Sequence, residues 1–473
     1  MSTVESNDIW LGKMPSDWQR SRLRNVAALS PGYSSTVPAP DEPCTVVPME
    51  LLSDDGSIDV TNQQPLDEVT SGLTLFEEGD VLFAKITPCM ENGKGAFVQE
   101  LPTRYAFGST EFHVLRPSKK IDGPFLYYAT FNPIYRAYAA ENMVGAAGQK
   151  RVSSRFVKDT RLFLPPLPEQ QRIAAYLDAS CAAIDAAVAA KHRQLETLDD
   201  LRTEAIHRAV TAGLNPAVKL RTSGVEWFDK IPVHWEVDRL KDVAAPNRDA
   251  IKVGPFGSDL LLGDMADEGI KVYNQRTVID RDFDSGIHFI SEEKYAQMKA
   301  FTVYTRDLLI TTRGTIGRCV IVPETAQLGI LHPCLMRVQT NKARMLPEYL
   351  AMLIQDCGLV LRQLQMMSAA TTIDVIYSGS LKRTYLPVPP VREQQDIIAF
   401  IGQKDAELRR LTAQIEQQIA TLTAYRKSLI HECVTGQRRI TEADVVRSQL
   451  SENTGQLKLE SSDKNLQLEK KLS

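Results

Sequence analysis

Leu164-Pro-Pro-Leu-Pro-Glu-Gln-Gln-Arg-Ile173 decides how this chain is built, because it occurs twice. Its copy is Leu386-Pro-Val-Pro-Pro-Val-Arg-Glu-Gln-Gln395, so Glu169-Gln170-Gln171 and Ile173 recur 224 positions later as Glu393-Gln394-Gln395 and Ile397. The match runs on without a gap through Thr197/Thr421, Leu198/Leu422, Arg202/Arg426, His207/His431 and Val210/Val434. Roughly a third of about 48 aligned positions are identical, more than a common helical pattern would give. Working outward, Trp10, Pro15, Trp18, Arg22, Leu23 and Val26 answer Trp227, Pro232, Trp235, Arg239, Leu240 and Val243. The chain is two copies of one plan, a globular segment followed by a long helix.

Both helices are written in the apolar spacing. Ile173, Leu177, Cys181, Ile184, Val188, Leu195, Leu198, Ala205 and Ala209 fall three or four residues apart, on one stripe. Gly213 and Pro216 end that run. Ile397, Ile401, Leu408, Leu411, Ile415, Leu422, Tyr425 and Leu429 form the second stripe, which stops before Gly436. About 40 residues at ~1.5 Å each make rods near 60 Å long. A lone rod cannot bury such a stripe. Packing of the two as a coiled coil would bring Ile184, Val188, Leu195 and Leu198 against Leu408, Leu411, Ile415 and Leu422. The alternative is two separate helices, each docked on its own globular domain.

The globular parts read as mixed α/β. Short β-rich runs such as Val81-Leu82-Phe83-Ala84 and Leu308-Leu309-Ile310-Thr311 alternate with turns at Gly79-Asp80 and Arg313-Gly314. Helical patterns near residues 123–140 and 347–366 close each segment. The expected fold class is therefore two α/β (mixed α+β) domains plus long α-helices, with an internal repeat. The boundaries are residues 1–164, a first helical spacer at 165–215, a second domain at 216–388, a second spacer at 389–440, and a polar, disordered tail at 441–473. The domains share an outline but not side chains. Lys85-Ile-Thr-Pro-Cys-Met-Glu-Asn-Gly-Lys94 in one faces Thr312-Arg-Gly-Thr-Ile-Gly-Arg318 in the other. A duplicated reader with one frame and two recognition surfaces would look like this.

Composition narrows the function classes. The chain has 473 residues, of which 43% are hydrophobic, enough for more than one core. No run approaches the ~18 uninterrupted apolar residues of a membrane span, and MSTVESNDIW does not read as a signal peptide. Seven cysteines lie scattered without a CxxC motif, which fits a reduced, cytoplasmic setting. The net charge of −4 is unevenly spread. Residues 1–80 carry 4 basic and 14 acidic side chains, residues 81–165 carry 12 and 6, and residues 306–383 carry 9 and 5. Such local positive excess suits a nucleic-acid partner, and equally a solvated surface.

The chemistry of catalysis is hard to find. Gly93-Lys94-Gly95 lacks the spacing and hydroxyl of a phosphate loop. Asn132-Pro133-Ile134-Tyr135 approaches the Asn/Asp-Pro-Pro-Tyr/Phe turn of amino-methyltransferases, but isoleucine replaces the second proline and no Gly-rich turn precedes it. Asp80 with Lys85, or Glu111 with His113, falls short of the converging carboxylates of a metal nuclease. His207 and His431 coincide between copies and suit packing contacts. No catalytic, cofactor-binding or metal-binding residue is expected.

Across nearly its whole length the chain resembles the specificity subunit of Type I restriction-modification systems. The two proline-Glu-Gln-Gln junctions and their helices carry the likeness, with Trp18, Trp235 and Gly254-Pro-Phe-Gly-Ser258. Gly79-Asp-Val-Leu-Phe-Ala-Lys85, Asp307-Leu-Leu-Ile-Thr-Thr-Arg313 and Gly108-Ser-Thr-Glu-Phe-His-Val-Leu115 add to it. The resemblance implies two target-recognition domains, each reading half of a bipartite, asymmetric site in double-stranded DNA. It also implies two helices paired antiparallel, related by a pseudo-twofold, that set the gap and dock two methyltransferase subunits. Restriction subunits would join them, and those partners, not this chain, would use S-adenosylmethionine, ATP and magnesium. The subunit would be non-catalytic by itself and cytoplasmic, with no membrane partner. Charge, turn context and correspondence between copies select Lys85, Lys94, Lys150 and Arg151 as DNA-binding candidates in the first domain. They select Arg276, Arg313, Thr315 and Arg318 in the second. A duplicated coiled-coil scaffold that never touches DNA is the competing reading.

Overall fold

The computed structural model describes residues 10–450 apart from 14, 33–38, 40, 70–71, 147, 257–258, 287 and 368–374. Contacts divide the chain into two units, residues 1–193 with 415–473, and residues 194–414. Each unit thus owns one globular domain and half of each long helix.

In the first unit the strands are β1 (Gln19–Arg22), β2 (Ala27–Leu29), β3 (Pro43–Val47), β4 (Gln63–Pro65), β5 (Thr74–Phe76), β6 (Val81–Ala84), β7 (Gly95–Phe97), β8 (Ala106–Gly108), β9 (Phe112–Pro117) and β10 (Arg161–Leu164). Helices α1 (Gly123–Phe131), α2 (Pro133–Glu141) and α3 (Ser154–Asp159) precede the long α4 (Leu167–Ala212). An antiparallel sheet runs β2-β9-β6-β7, and a second sheet runs β4-β3-β8-β5 with β3 and β8 parallel. The four residues of β6 are buried on both faces, which is why that strand is a continuous apolar run.

The second unit follows with β11 (Leu220–Thr222), β12 (Lys230–Pro232), β13 (Glu236–Arg239), α5 (Leu240–Val243), β14 (Ile251–Val253), β15 (Met265–Ala266), β16 (Ile270–Tyr273), α6 (Gln275–Asp280) and β17 (Phe289–Ile290). Then come α7 (Glu292–Met298), β18 (Thr302–Val303), β19 (Leu308–Thr311), β20 (Cys319–Ile321), β21 (Gly329–Leu331), β22 (Leu335–Val338), α8 (Pro347–Ala351), α9 (Leu359–Met367), α10 (Ser378–Leu381), β23 (Tyr385–Val388) and α11 (Val391–Val434). Its sheets run β14-β22-β19-β20 and β15-β17-β16-β21-β18, with β16 and β21 parallel. The first of these sheets matches its counterpart in the first unit strand for strand, β19 taking the place of β6 and β22 that of β9, while the other repeats the central parallel pair with one strand added at the β15 edge. One plan has indeed been used twice.

The repeated Glu-Gln-Gln motif bolts each domain to its helix. Glu169 accepts the indole N–H of Trp18 at 3.2 Å, and Glu393 accepts that of Trp235 at 2.8 Å. Gln170 Oε1 accepts the backbone N–H of Asp122, the residue that caps α1, while its Nε2 donates to the carbonyls of Pro165 and Lys120. Gln394 repeats the three bonds, from the N–H of Leu346 at the start of α8 and to the carbonyls of Pro389 and Arg344. The second glutamine, Gln171 or Gln395, is exposed in both copies.

The helix ends complete the pattern crosswise. Gly436, after α11, adopts φ +75°, and a Cβ there would meet Pro15 Cγ at 2.4 Å and Trp18 at 3.1 Å. Gly213, after α4, has φ +76° and stands 3.3 Å from Trp235 by the same measure. So the first domain is closed by the end of the second helix, and the second domain by the end of the first.

The stripe residues behave unequally. Ile173, Leu177, Cys181 and Ile184 of α4 and Leu429, Ile430, Cys433 and Val434 of α11 are buried in the first unit's core, with Val188 and Leu422 packed on it. Ile206, Ala209, Val210, Ile397 and Ile401 lie in the second unit's core. Leu195, Leu198, Leu408, Leu411 and Ile415 are half-buried. Ion pairs join opposite ends of the helices: Arg202 to Asp405 at 2.9 Å in the second unit, Arg426 to Asp185 at 3.0 Å in the first. Tyr425, expected on the stripe, is 47% exposed. The 3.6-residue period carries the inward face from Leu422 to Arg426, whose guanidinium also lies 5.6 Å from the Phe131 ring centroid.

By length and composition α4 is apolar enough to cross a membrane, although Asp178 and Asp185 interrupt its apolar run as the sequence shows, and part of its stripe lies in the cores just named. One further expectation needs correcting. The tail is not polar disorder from its first residue, since residues 442–450 are helical, Ile440 is buried and Val445 packs on the first core. Residues 451–473 lie outside the described residues.

Candidate nucleic-acid interface

In the first domain β6 delivers the chain into a loop, residues 85–94, whose base is tied to two other segments. Lys85 N–H donates to the Glu111 carbonyl at 2.8 Å, Val152 N–H to the Lys85 carbonyl at 2.9 Å, and Thr87 N–H to the Lys150 carbonyl at 3.0 Å. The loop, the turn at 109–111 and residues 144–152 therefore converge. Lys85, Lys150 and Arg151 meet there, with Lys150 exposed and Lys85 half-buried. Two candidates are already engaged within the domain. Arg151 grips the Glu111 carboxylate through Nε and Nη2 at 2.9 and 2.8 Å, and this hydrogen bonding holds the Glu111 carboxyl below its usual range. Lys94 donates its ammonium to the Met49 carbonyl at 2.9 Å and closes the loop from behind.

The second domain builds the same junction from other residues. The loop at 312–318 turns through Gly314 and Gly317, both at positive φ. Thr312 donates its N–H and hydroxyl to the Cys334 carbonyl, each at 2.9 Å, and Ile376 N–H donates to the Thr312 carbonyl at 2.9 Å. Again a β-loop, the turn before the central strand and a segment after the helices converge. Helix α6 packs on β19 and β20, and Gln275 at its start lies against Gly314. Arg276, Arg313, Thr315 and Arg318 are all exposed on this neighbourhood. Arg276 also pairs loosely with Asp280, at 3.6 Å.

The family described as Type I restriction modification DNA specificity domain matches the chain twice, over residues 15–197 and 232–421. The chain belongs to this family. Among relatives of the specificity-domain chain, the Type I restriction enzyme EcoAI specificity subunit of Escherichia coli is 35% identical over 164 residues, 34% of this chain and 27% of that subunit. The EcoBI specificity subunit of Escherichia coli is 26% identical over 61% of this chain and 60% of its own length. The putative MjaX specificity subunit of Methanocaldococcus jannaschii is 21% identical over 91% of this chain and 96% of its own. The chain thus spans about a quarter of the EcoAI subunit and three fifths of the EcoBI subunit.

Solved structures share the specificity-domain fold. A chain from work on complex assembly and conformational transition of the type I R-M system superposes with a TM-score of 0.66, at 18% identity, over 89% of this chain and 98% of that one. The HsdS subunit from Thermoanaerobacter tengcongensis gives 0.51 at 18% identity, over 90% and 98%.

The remaining motifs of this specificity-domain chain have structural employment. Asn132 caps α2, its Oδ1 accepting the Ile134 N–H at 3.0 Å, and its amide Nδ2 lies 3.2 Å from His431 Nδ1. Asn132-Pro133 is thus a helix start, with proline at the first position. Asp80 is buried and held by Arg116 through two bonds of 2.8 Å, and it accepts the Glu77 N–H. Asp307 closes the matching turn by accepting the Tyr304 N–H at 2.8 Å. His113 donates Nε2–H to the Val152 carbonyl at 2.8 Å, and burial pushes its pKa down to about 4. Among the described residues no group of three or more His, Cys, Asp or Glu side chains is arranged to hold a metal ion. Gly257 and Ser258 of the Gly-Pro-Phe-Gly-Ser run lie outside the described residues; Phe256 is 80% exposed. Sequence reasoning did not single out Arg136 of α2, which is buried and donates Nε–H to the Thr130 carbonyl at 2.7 Å. A lone arginine in an apolar helical pattern carries no signal in a single sequence.

Proposed function

We propose that this chain is the DNA-recognising specificity subunit of a Type I restriction-modification complex, non-catalytic by itself and working in the cytoplasm. Each domain reads one half of a bipartite, asymmetric site in double-stranded DNA. The long helices pair antiparallel under a pseudo-twofold, fix the gap between the halves and dock two methyltransferase subunits, and restriction subunits join the assembly. S-adenosylmethionine, ATP and magnesium belong to those partners.

One observation carries the reading. Two domains whose four-stranded antiparallel sheets share one strand order present, at the same junction, loops of different length and chemistry, Lys85–Lys94 and Thr312–Arg318. Duplicated frames with unlike loops are what two different half-sequences demand. Cations at the loops supply affinity through phosphates, and a few base-edge bonds of about 1–3 kcal/mol each supply discrimination. The ion pairs Arg202–Asp405 and Arg426–Asp185 support the antiparallel pairing. Helices of 46 and 44 residues, ~65–70 Å each, are stiff enough to define a spacing where a flexible linker would blur it.

The test is a salt series of DNA affinity for the full chain with its methyltransferase partner. Phosphate contacts make log affinity fall linearly with log salt, by close to one unit of slope per contact, so several such contacts give a steep line. Sequencing of methylated bases in cells expressing both proteins should then return two fixed half-sequences around a constant gap. Salt-independent association, or methylation without a bipartite motif, would leave the competing scaffold as the better description.

A further inference from the structure

The first recognition loop is built around a buried cation. Arg136 of α2 is 5% exposed, and no carboxylate pairs with it among the described residues. Its donors go to main-chain oxygens instead. Nε donates to the Thr130 carbonyl at 2.7 Å, Nη1 to the carbonyls of Met90 and Lys94 at 3.4 Å each, and Nη2 to Lys94 at 3.5 Å. The guanidinium lies 5.0 Å from the Phe83 ring centroid and 6.0 Å from that of Phe131. Burial pulls its pKa down to about 10, which still leaves it charged at neutral pH.

Met90 and Lys94 belong to the loop itself. Inside the loop, N–H groups of Met90, Asn92, Gly93 and Lys94 donate back to the carbonyls of Ile86, Pro88, Met90 and Cys89, forming a compact coil of turns. The carbonyls at the closing end of that coil point at Arg136, where a positive charge is favourable. Met90 is the loop's buried anchor, while Pro88, Glu91 and Asn92 are exposed. Gly95 leaves room for the arrangement, since a Cβ there would stand 2.8 Å from Arg136 Nη2. The second domain holds its loop by other means: Leu361 presses on Gly317, and Gln355 accepts the Cys319 N–H at 2.8 Å.

We infer that Arg136 is the positioning residue of the first recognition loop, fixing its carbonyls so that the tip bearing Glu91 and Asn92 meets base edges in one geometry. Asn92 is suited to adenine, and Glu91 to the amino group of cytosine. A buried guanidinium spending its donors on two carbonyls of a loop whose tip is exposed has that tip as its beneficiary. This inference rests on the reading of the chain as a DNA-recognising subunit.

The experiment uses the full chain with its methyltransferase partner and duplexes altered at one base pair in either half of the site. Arg136→Lys and Arg136→Met should each lower discrimination about tenfold or more in one half-sequence, leaving the other within about twofold. Asn92→Ala should affect the same half without moving the melting temperature. Unchanged discrimination, or equal loss in both halves, would overturn the inference. So would failure of both arginine variants to fold, which would make Arg136 a residue of domain stability only. If the unaltered protein directs no bipartite methylation, the functional reading fails first, and that result is visible before any variant is made.

Discussion

Truncating Gln170 to alanine removes three hydrogen bonds from a site that is 1% exposed, and truncating Gln394 removes the same three from the other copy, which is fully buried. At about 1 kcal/mol net for each bond, the loss is about 3 kcal/mol, and more if the orphaned groups stay dry. Gln171→Ala and Gln395→Ala are the internal control, because those side chains are exposed; each should change stability by less than about 0.5 kcal/mol. Hydrogen exchange read by mass spectrometry gives the local answer. The Asp122 and Leu346 amides donate to the two glutamines, so their exchange should quicken by roughly 100-fold in the matching variant, at tenfold per 1.4 kcal/mol. Urea unfolding of the full chain gives the global one. Protection unchanged in the Gln170 and Gln394 variants, or equal effects from the exposed and the buried glutamines, would refute the claim that this motif is a bolt between domain and helix.

Replacing Arg116 by methionine strands the fully buried Asp80 carboxylate, and should cost the first unit about 3 kcal/mol in urea unfolding. His113 is held neutral, with a folded pKa of about 4 against 6.5 when unfolded, so the unfolded chain takes the proton first. Its contribution is whole above pH 6.5 and is lost as pH falls toward 4, by about 3 kcal/mol, and His113→Gln should flatten that slope in unfolding midpoints measured across the range. Adding seven residues to each long helix in register, the first insertion within 185–200, should lengthen the unread gap of the methylated site by about three base pairs, as ~10 Å of helix is set against ~3.4 Å per pair; sequencing of methylated bases checks it. Exchanging residues 20–160 for those of a relative should replace one half-sequence and leave the other, and the same sequencing would expose a change in both.

Much of the fold was legible because it is periodic or repeated. The 224-residue offset marked both junctions, and the three-four spacing marked both helices down to Ile173, Leu177, Ile397 and Ile401, all buried. Legibility stopped where a choice depends on three dimensions. Tyr425 and Arg426 are neighbours, and only the drift of the helix decides which faces in. The candidate cations were chosen by charge, yet charge does not reveal that Lys94 has the Met49 carbonyl as partner or that Arg151 has Glu111. Those acceptors lie about 45 and 40 positions away in the chain. The opposite failure is Arg136, whose importance comes from carbonyls, which carry no sequence signal at all.

Because Leu429, Ile430, Cys433, Val434 and Ile440 complete the core of the domain that begins the chain, that domain cannot mature when its own segment leaves the ribosome. The unit made of residues 194–414 has everything it needs earlier, so the part synthesised second is free to finish first. Until the last helix returns, Ile173, Leu177 and Ile184 lack part of their cover, and a prematurely stopped nascent chain presents that apolar strip to chaperones and proteases.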